Sequence, residues 1–130
     1  MIKTHVAFNG WFWDQPNTGS GQYLRRLVHN LRRLAPELAL TLVLPPHITA
    51  PEDLPPNVQP IFTRGSSGNL GKVWFEQRTF PQAVRQSGAE IAHVPYWGPP
   101  LTSTARLVTT ILDVIPLALP DYSSGFKARL

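Results

Sequence analysis

The sequence predicts an α/β fold of the doubly wound kind, with a mostly parallel sheet and helices on both faces. Apolar strand-like runs alternate with amphipathic helical segments along the 130 residues, and this alternation is typical of parallel sheets. One run, 38–44, is apolar at nearly every position, as in strands that are covered on both faces. Ligands bind such sheets at the carboxyl ends of the strands. The length fits one domain.

The first half of the chain predicts a strand, a helix and two further strands. The first strand covers residues 4–8, and an aromatic loop leads from it to a helix over residues 21–35, which Pro36 ends. The second strand is the apolar run 38–44, and a short third strand over 58–62 follows a proline-rich loop. The helix has an apolar stripe with a period of about 3.6, formed by Tyr23, Leu24, Leu27, Val28, Leu31 and Leu34.

The second half predicts one helix and two strands. The helix covers residues 70–86, and Pro81 must kink or interrupt it. The strands cover residues 90–94 and 106–112, the latter with strong β propensity. Residues 121–130 are interpreted as a loop that enters a helix without room to finish, so we expect the chain to stop inside a larger fold. The side of the helix predicted to be apolar carries Val73, Trp74, Gln77, Phe80 and Val84.

The segment Asn17-Thr18-Gly19-Ser20-Gly21 joins the aromatic loop to the first helix. A helix N-terminus offers unpaired N–H groups, and glycine allows close approach, so a phosphate or a sugar hydroxyl could bind there. The alternative is a tight turn in which Thr18 or Ser20 is an ordinary N-cap. The segment is neither G-x-G-x-x-G nor a P-loop, which disfavours nucleotide binding by those two routes.

Charge and residue usage exclude several kinds of site. The net charge of +4 includes four arginines on the first helix, Arg25, Arg26, Arg32 and Arg33, which we interpret as a solvated face. Attraction of that helix to anionic lipid is an alternative, whereas nucleic acid is not expected. The chain has no cysteine, no Asp-x-Asp and no zinc-like spacing of its four histidines, so no metal is expected. A cytoplasmic location is expected, because no apolar run approaches the roughly 20 residues of a membrane span.

Three segments together resemble the Rossmann-like N-terminal domain of GT-B type, group 1 nucleotide-sugar glycosyltransferases, which are retaining and mannosyltransferase-like. They are residues 18–23 before the first helix, His93-Val94-Pro95 at a strand end, and residues 110–117. The resemblance covers nearly the whole chain and includes the segments 74–77 and 119–122. It implies that residues 1–130 form a single acceptor-side domain, incomplete at its carboxyl end, and that the C-terminal donor-binding domain is absent.

The resemblance assigns roles to several residues. It implies that Gly19, Ser20 and Gly21 lie at the cleft near the donor phosphates and the acceptor. Asp113 either touches sugar or acceptor hydroxyls there or caps local N–H groups in a turn. The family usually has His-Asp where this chain has Leu112-Asp113, and leucine can neither donate a hydrogen bond nor titrate.

Five further residues are candidate acceptor contacts: Trp11, Trp13, His93, Tyr96 and Trp97. Tyr96 and Trp97 either stack on a sugar ring or are buried against the neighbouring loop. Trp11 and Trp13 form an acceptor platform if they are exposed and a core edge if they are not. For His93 we prefer a structural role at the end of a buried strand.

The expected function is transfer of a hexose from a nucleotide diphosphate sugar to a carbohydrate or lipid acceptor. The nucleotide sugar is a substrate, no cofactor is expected, and no catalytic residue is assigned. The chain alone is expected to be inactive, because the resemblance places most nucleotide contacts in the C-terminal domain. The alternative is a non-catalytic interaction module that self-associates as a homo-oligomer or pairs with a partner chain. Peripheral contact with the inner membrane surface is a further alternative.

Overall fold

The computed structural model describes residues 3–119 and contains a five-stranded, all-parallel sheet in the order β3-β2-β1-β4-β5. This confirms the predicted α/β fold of Rossmann-like, doubly wound type. The chain moves outward from β1 to β3 and then returns to the other side of β1, so the strand order reverses between β1 and β4. The strands are β1 (His5–Asn9), β2 (Ala39–Leu44), β3 (Val58–Phe62), β4 (Ile91–Val94) and β5 (Arg106–Thr109).

The helices cover opposite faces of the sheet. Helix α1 (Gly19–Leu34) packs on one face, where Leu24 and Val28 join an apolar cluster with β1 and β2. The other face is covered by a longer helical segment consisting of α2 (Gly68–Trp74), a π-helical stretch (Phe75–Thr79) and α3 (Phe80–Ser87). A short helix, α4 (Ile115–Ala118), follows β5 and was not predicted.

Helix α1 forms as the periodicity predicts, with one difference at each end. Thr18 is the N-cap, and its Oγ1 accepts a hydrogen bond from the Gly21 amide over 3.0 Å, so the helix begins at Gly19 and not at residue 21. At the other end Leu34 was predicted within the buried stripe, but it is 69% exposed. Leu34 is the last helical residue, three residues beyond Leu31, which still packs against the apolar cluster.

In the helical segment after β3, part of the side that the sequence predicts to be buried is exposed. Pro81 lacks an N–H, and the turn before it widens into the π-helical stretch, in which the Phe80 amide bonds to the Phe75 carbonyl five residues back. The extra residue rotates the preceding turns, so Phe75 and Phe80 are buried while Val73 and Trp74 are exposed. The apolar side predicted from a period of 3.6 was therefore wrong before the π turn and correct after it.

The last strand is shorter than predicted. Residues 106–112 were expected to be extended, but β5 ends at Thr109. The last backbone hydrogen bond between β5 and β4 runs from the Thr110 amide to Val94 O. The neighbouring strand β4 ends there because Pro95 follows Val94 and interrupts the backbone pairing.

Two expectations reach beyond this description. The loop and unfinished helix predicted at 121–130 lie outside the described residues, as does most of the 119–122 segment. Among the helices of residues 3–119, none is both long enough and apolar enough to cross a membrane.

Candidate ligand-binding site at the carboxyl edge of the sheet

A buried asparagine marks the point where the strand order reverses. Asn9 ends β1, is fully buried, and donates from Nδ2 to the hydroxyl of Tyr96 over 2.9 Å. Its Oδ1 accepts a hydrogen bond from the Trp11 amide, also over 2.9 Å. Tyr96 follows β4, so this pair of bonds ties together the two strand ends at which doubly wound folds bind their ligands.

The tyrosine continues the network into the π-helical stretch. The Tyr96 hydroxyl donates to Glu76 Oε1 over 2.9 Å, and Lys72 Nζ contacts the same carboxylate oxygen as an ion pair. Glu76 is buried at 7% exposure. Burial first, and then the charge of Glu76, raise the pKa of Tyr96 far above its usual range, so the phenol stays protonated and keeps donating.

Lys72 brings positive charge to this edge. Its side chain is 30% exposed, and its ammonium lies 4.8 Å from the ring centroid of Tyr96 and 5.7 Å from that of Phe12. Two aromatic faces and one carboxylate therefore hold the ammonium in place. The side chain as a whole remains partly accessible to solvent.

Gly98 allows the loop after β4 to close over the network. A Cβ on this residue would lie 2.7 Å from Glu76 Oε1 and 2.5 Å from the Tyr96 ring. Only a glycine fits between these groups without moving one of them. The close fit fixes the position of the adjacent Trp97, whose side chain is 51% exposed.

A second polar cluster lies on the α1 face of the same edge. Thr110 Oγ1 is hydrogen-bonded to His93 Nε2 at 2.9 Å and to Tyr23 Oη at 3.1 Å. The His93 ring also packs against Phe8, with ring centroids 5.4 Å apart. Burial lowers the pKa of His93, so the imidazole is neutral at neutral pH. These contacts fit a structural role for His93, which is the role expected from the sequence.

The two glycines of the loop before α1 have different surroundings. A Cβ on Gly21 would overlap the carbonyl oxygen of Gln15, whereas nothing lies within 4 Å of one placed on Gly19. The tight-turn alternative therefore accounts for Gly21. The first-turn amides of Gly19 and Ser20 have no acceptor among the described residues, and the helix N-terminus is open there.

The glycine loop and Lys72 meet at one residue. The carbonyl of Phe12 would lie 2.9 Å from a Cβ on Gly21, and the ring of Phe12 lies under the Lys72 ammonium. Phe12 therefore touches both the loop before α1, through its carbonyl, and the Lys72 ammonium, through its ring. The open amides of α1 and the ammonium each favour an anion.

Asp113 acts as a local cap. Its Oδ1 accepts a hydrogen bond from the Ile115 amide over 2.7 Å at the start of α4, which is the turn-capping alternative. The side chain is exposed, and so is Leu112, at 46%. An exposed apolar side chain therefore precedes Asp113 in the sequence.

The candidate aromatic contacts divide by burial. Trp13 is fully buried, donates from Nε1 to Glu52 O over 2.8 Å, and has the Arg25 guanidinium 5.1 Å from its ring. Trp11 is buried against Phe75. The core-edge alternative thus describes both tryptophans. Tyr96 is buried as well, and of these four residues only Trp97 is exposed, at 51%.

Lys72 and Glu76 were not proposed as site residues from the sequence. A signal for them exists: the two are four residues apart on a predicted helix, and Glu76 adjoins Phe75 on the face that becomes buried. The π turn that brings this face inward could not be located from a 3.6-residue period. No group of three His, Cys, Asp or Glu side chains suited to a metal ion occurs within residues 3–119.

No family model, curated protein or solved structure matches this chain. The glycosyltransferase resemblance stays a prediction that rests on the residues quoted above.

Proposed function

We propose that this chain is the acceptor-side, N-terminal domain of a GT-B type, group 1 glycosyltransferase that moves a hexose from a nucleotide diphosphate sugar to a carbohydrate or lipid acceptor. One observation carries the proposal. Tyr23, His93 and Thr110 come from the three segments that resemble this family, and one hydrogen-bonded cluster joins them at the carboxyl edge. Segments that are distant in sequence thus meet where a cleft would form.

The groups at this edge suit a diphosphate. The amides of Gly19 and Ser20 lie at the open N-terminus of α1, and Lys72, whose side chain is partly exposed, places its ammonium over the Phe12 ring of the loop before that helix. Backbone N–H groups and a fixed cation stabilise the charge that develops on a leaving diphosphate. Trp97 offers an indole face to a sugar ring. In this proposal neither a metal ion nor a cofactor takes part.

The proposal assigns no acid or base catalyst to this chain. Leu112 cannot titrate, and His93 is engaged with Thr110. We therefore expect no turnover by residues 1–130 alone, and weak or no donor binding. A cytoplasmic location, peripheral at the membrane where the acceptor is a lipid, belongs to the same proposal.

The test places a negative charge at the helix N-terminus. Ser20→Glu should preserve folding, because an acidic side chain in the first turn is favourable for a helix, yet it should repel an anionic donor. Gln22→Glu, at an exposed position two residues further along, adds the same charge as a matched control. Both variants are made in the polypeptide of the complete reading frame, and release of nucleoside diphosphate from UDP-, GDP- and ADP-hexoses is measured.

We expect release by the parent protein, at least a tenfold loss for Ser20→Glu (about 1.4 kcal/mol), and little change for Gln22→Glu. Absence of release with every donor would overturn the proposal, as would equal activities of the two variants. Calorimetry on residues 1–130 checks the expectation that this chain alone binds the donor weakly or not at all. Tight donor binding by this chain alone would contradict the assignment of the donor site to another domain.

A second candidate function is a non-catalytic module that self-associates or binds a partner chain. The apolar side chains of β5 favour it, since Leu107 and Val108 point to opposite faces and are 39% and 44% exposed. The opposite edge of the sheet differs, because β3 contains Pro60, which blunts an edge for pairing. Sedimentation velocity of Val108→Lys, with Gln59→Lys on β3 as control, distinguishes these edges. If the parent chain assembles and only Val108→Lys dissociates the assembly, the interaction-module hypothesis is supported. If the parent chain is a monomer at high concentration, self-association is ruled out.

A further inference from the structure

An apolar patch covers the outer side of helix α2. It is a consequence of the π turn, which rotates the first turns of the segment away from the sheet. Loop residue Leu101 lies beside it, because Gln77 holds the loop with one bond to Pro99 O at 3.1 Å and one from the Leu101 amide at 2.9 Å. The α2 patch consists of Leu70, Val73, Trp74 and Leu101, which are 86%, 53%, 61% and 93% exposed.

A groove that bears cationic groups adjoins the α2 patch. Its volume is about 720 Å³, and it runs between the π turn and α3 on one side and residues 102–104 on the other. Arg78 and Arg85 line it, and the Arg78 guanidinium lies 5.9 Å from the ring centroid of Trp74. None of the side chains that line this groove is acidic, and neither arginine forms a salt bridge within residues 3–119. Positive charge and exposed apolar surface thus lie side by side.

We propose that the α2 patch and its arginines form a docking surface for a membrane leaflet that contains anionic lipids. Leucine and valine side chains enter the boundary of the acyl chains, an indole favours the interface, and arginines pair with anionic head groups. Charge complementarity favours this occupant over a second copy of the chain. Two identical surfaces would bring the positive charges of Arg78 and Arg85 close to the same charges of the other copy, and these repel each other. The inference does not rest on the glycosyltransferase proposal, since it uses the opposite face of the sheet from α1.

The arginines of α1 do not form an equivalent surface. Arg32 donates to the carbonyls of Asn57, Ala35, Pro36 and Leu38, and Arg25 donates to Trp13 O. Two of the four α1 arginines therefore hold loops in place. Arg26 and Arg33 remain exposed, with Leu34 as an exposed apolar neighbour in sequence, and these three residues provide matched controls.

The experiment is flotation of the full chain with vesicles at low and high salt. One vesicle is an equal mixture of phosphatidylcholine and phosphatidylglycerol, and the other is phosphatidylcholine alone. We expect binding to the mixed vesicles that weakens with salt. Arg78→Gln/Arg85→Gln should lower affinity about fivefold for each arginine, and Leu70→Ser/Trp74→Ser at least about tenfold. Arg26→Gln/Arg33→Gln and Leu34→Ser should change it little.

Tryptophan emission locates the contact. Binding should shift the emission to shorter wavelength, and Trp74→Phe should remove most of that shift while leaving the protein bound. Circular dichroism of each variant verifies the fold, and all substituted side chains are largely exposed. Failure of the parent chain to bind mixed vesicles would overturn the proposal. Equal losses in the α1 and α2 arginine pairs would also overturn it, because net charge alone would then explain binding. Binding without an emission change would overturn it as well, because the protein would then bind the anionic head groups without inserting the α2 patch.

Discussion

The two faces of the sheet are covered by helices of different regularity. Helix α1 has one pitch from its Thr18 cap to Leu34, and its buried side chains are apolar. The segment on the opposite face changes pitch at the π turn between Phe75 and Thr79, and it buries Glu76 among aromatic rings. The regular helix follows from its N-cap and from the packing of its apolar stripe against the sheet. The irregular one places a charged network at the carboxyl edge.

The π turn determines which side chains of this segment are buried. A continuous α-helix would present residues 73, 76 and 77 on one side with residue 80, and Trp74 close to them. With the extra residue, Phe75 and Phe80 point inward together and Glu76 reaches Tyr96. The same rotation exposes Val73 and Trp74. One local change of pitch therefore buries Phe75 together with Phe80 and exposes the α2 patch.

The two faces share one feature, and its removal should cost the most stability. The first turn of α1 and that of α2 each contain a glycine whose Cβ would overlap a carbonyl oxygen of the preceding loop, Gln15 O for Gly21 and Ser66 O for Gly71. We expect Gly21→Ala and Gly71→Ala each to lower the free energy of unfolding by about 3 kcal/mol, because backbone must move. Chemical denaturation measures this. Equal losses would mean that the faces differ only after their first helical turns.

Gly19→Ala is the control for that pair. Its Cβ would meet nothing within 4 Å, so alanine should leave the free energy of unfolding unchanged or raise it by up to about 1 kcal/mol. A loss as large as that of Gly21→Ala would contradict the overlap argument. It would indicate instead that any side chain in the first turn of α1 is unfavourable.

The next effect separates the faces. Glu76→Leu removes the acceptor of the Tyr96 hydroxyl and the partner of Lys72. We expect a loss of about 2 kcal/mol, smaller than for a fully buried pair because Lys72 is partly exposed. Glu76→Gln, which keeps an acceptor oxygen, should lose about half as much, and a double-mutant cycle with Tyr96→Phe measures the coupling. Additive losses would mean that the hydrogen bond contributes nothing.

Local features of the fold could be predicted from the sequence, whereas contacts between distant residues could not. The repeat of apolar residues in α1, the run 38–44 and the alternation of elements predicted the sheet and its helices, since each depends on local periodicity. The phase of α2 could not be predicted, because the π turn results from Pro81 and from packing against the sheet together. The partners of Asn9 and Glu76 are also non-local: Tyr96 lies 87 residues from one and 20 from the other. The function of the edge depends on ligands that the fold alone does not specify.

A third prediction uses the titration of Tyr96. The pKa of this phenol is raised in the folded state, so above about pH 10 the unfolded state releases a proton that the folded state keeps. Its contribution to stability is complete below that pH and falls by about 1.4 kcal/mol for each further pH unit. Tyr96→Phe should be less stable at neutral pH, and its free energy of unfolding should depend less on pH in the alkaline range. Parallel alkaline profiles of the two proteins would contradict burial as the cause.

The smallest effect lies on the α1 face and has the opposite pH direction. Burial lowers the pKa of His93, so below about pH 6.5 the unfolded state takes up a proton that the folded state resists. Stability should fall as the pH decreases through that value and level off once the folded imidazole is also protonated. His93→Gln retains a side chain able to bond Thr110, and its acid profile should be flatter. Denaturation from pH 7 to 5 compares the proteins. If the slope persists in His93→Gln, other groups cause it, and the two faces no longer differ in the sign of their pH response.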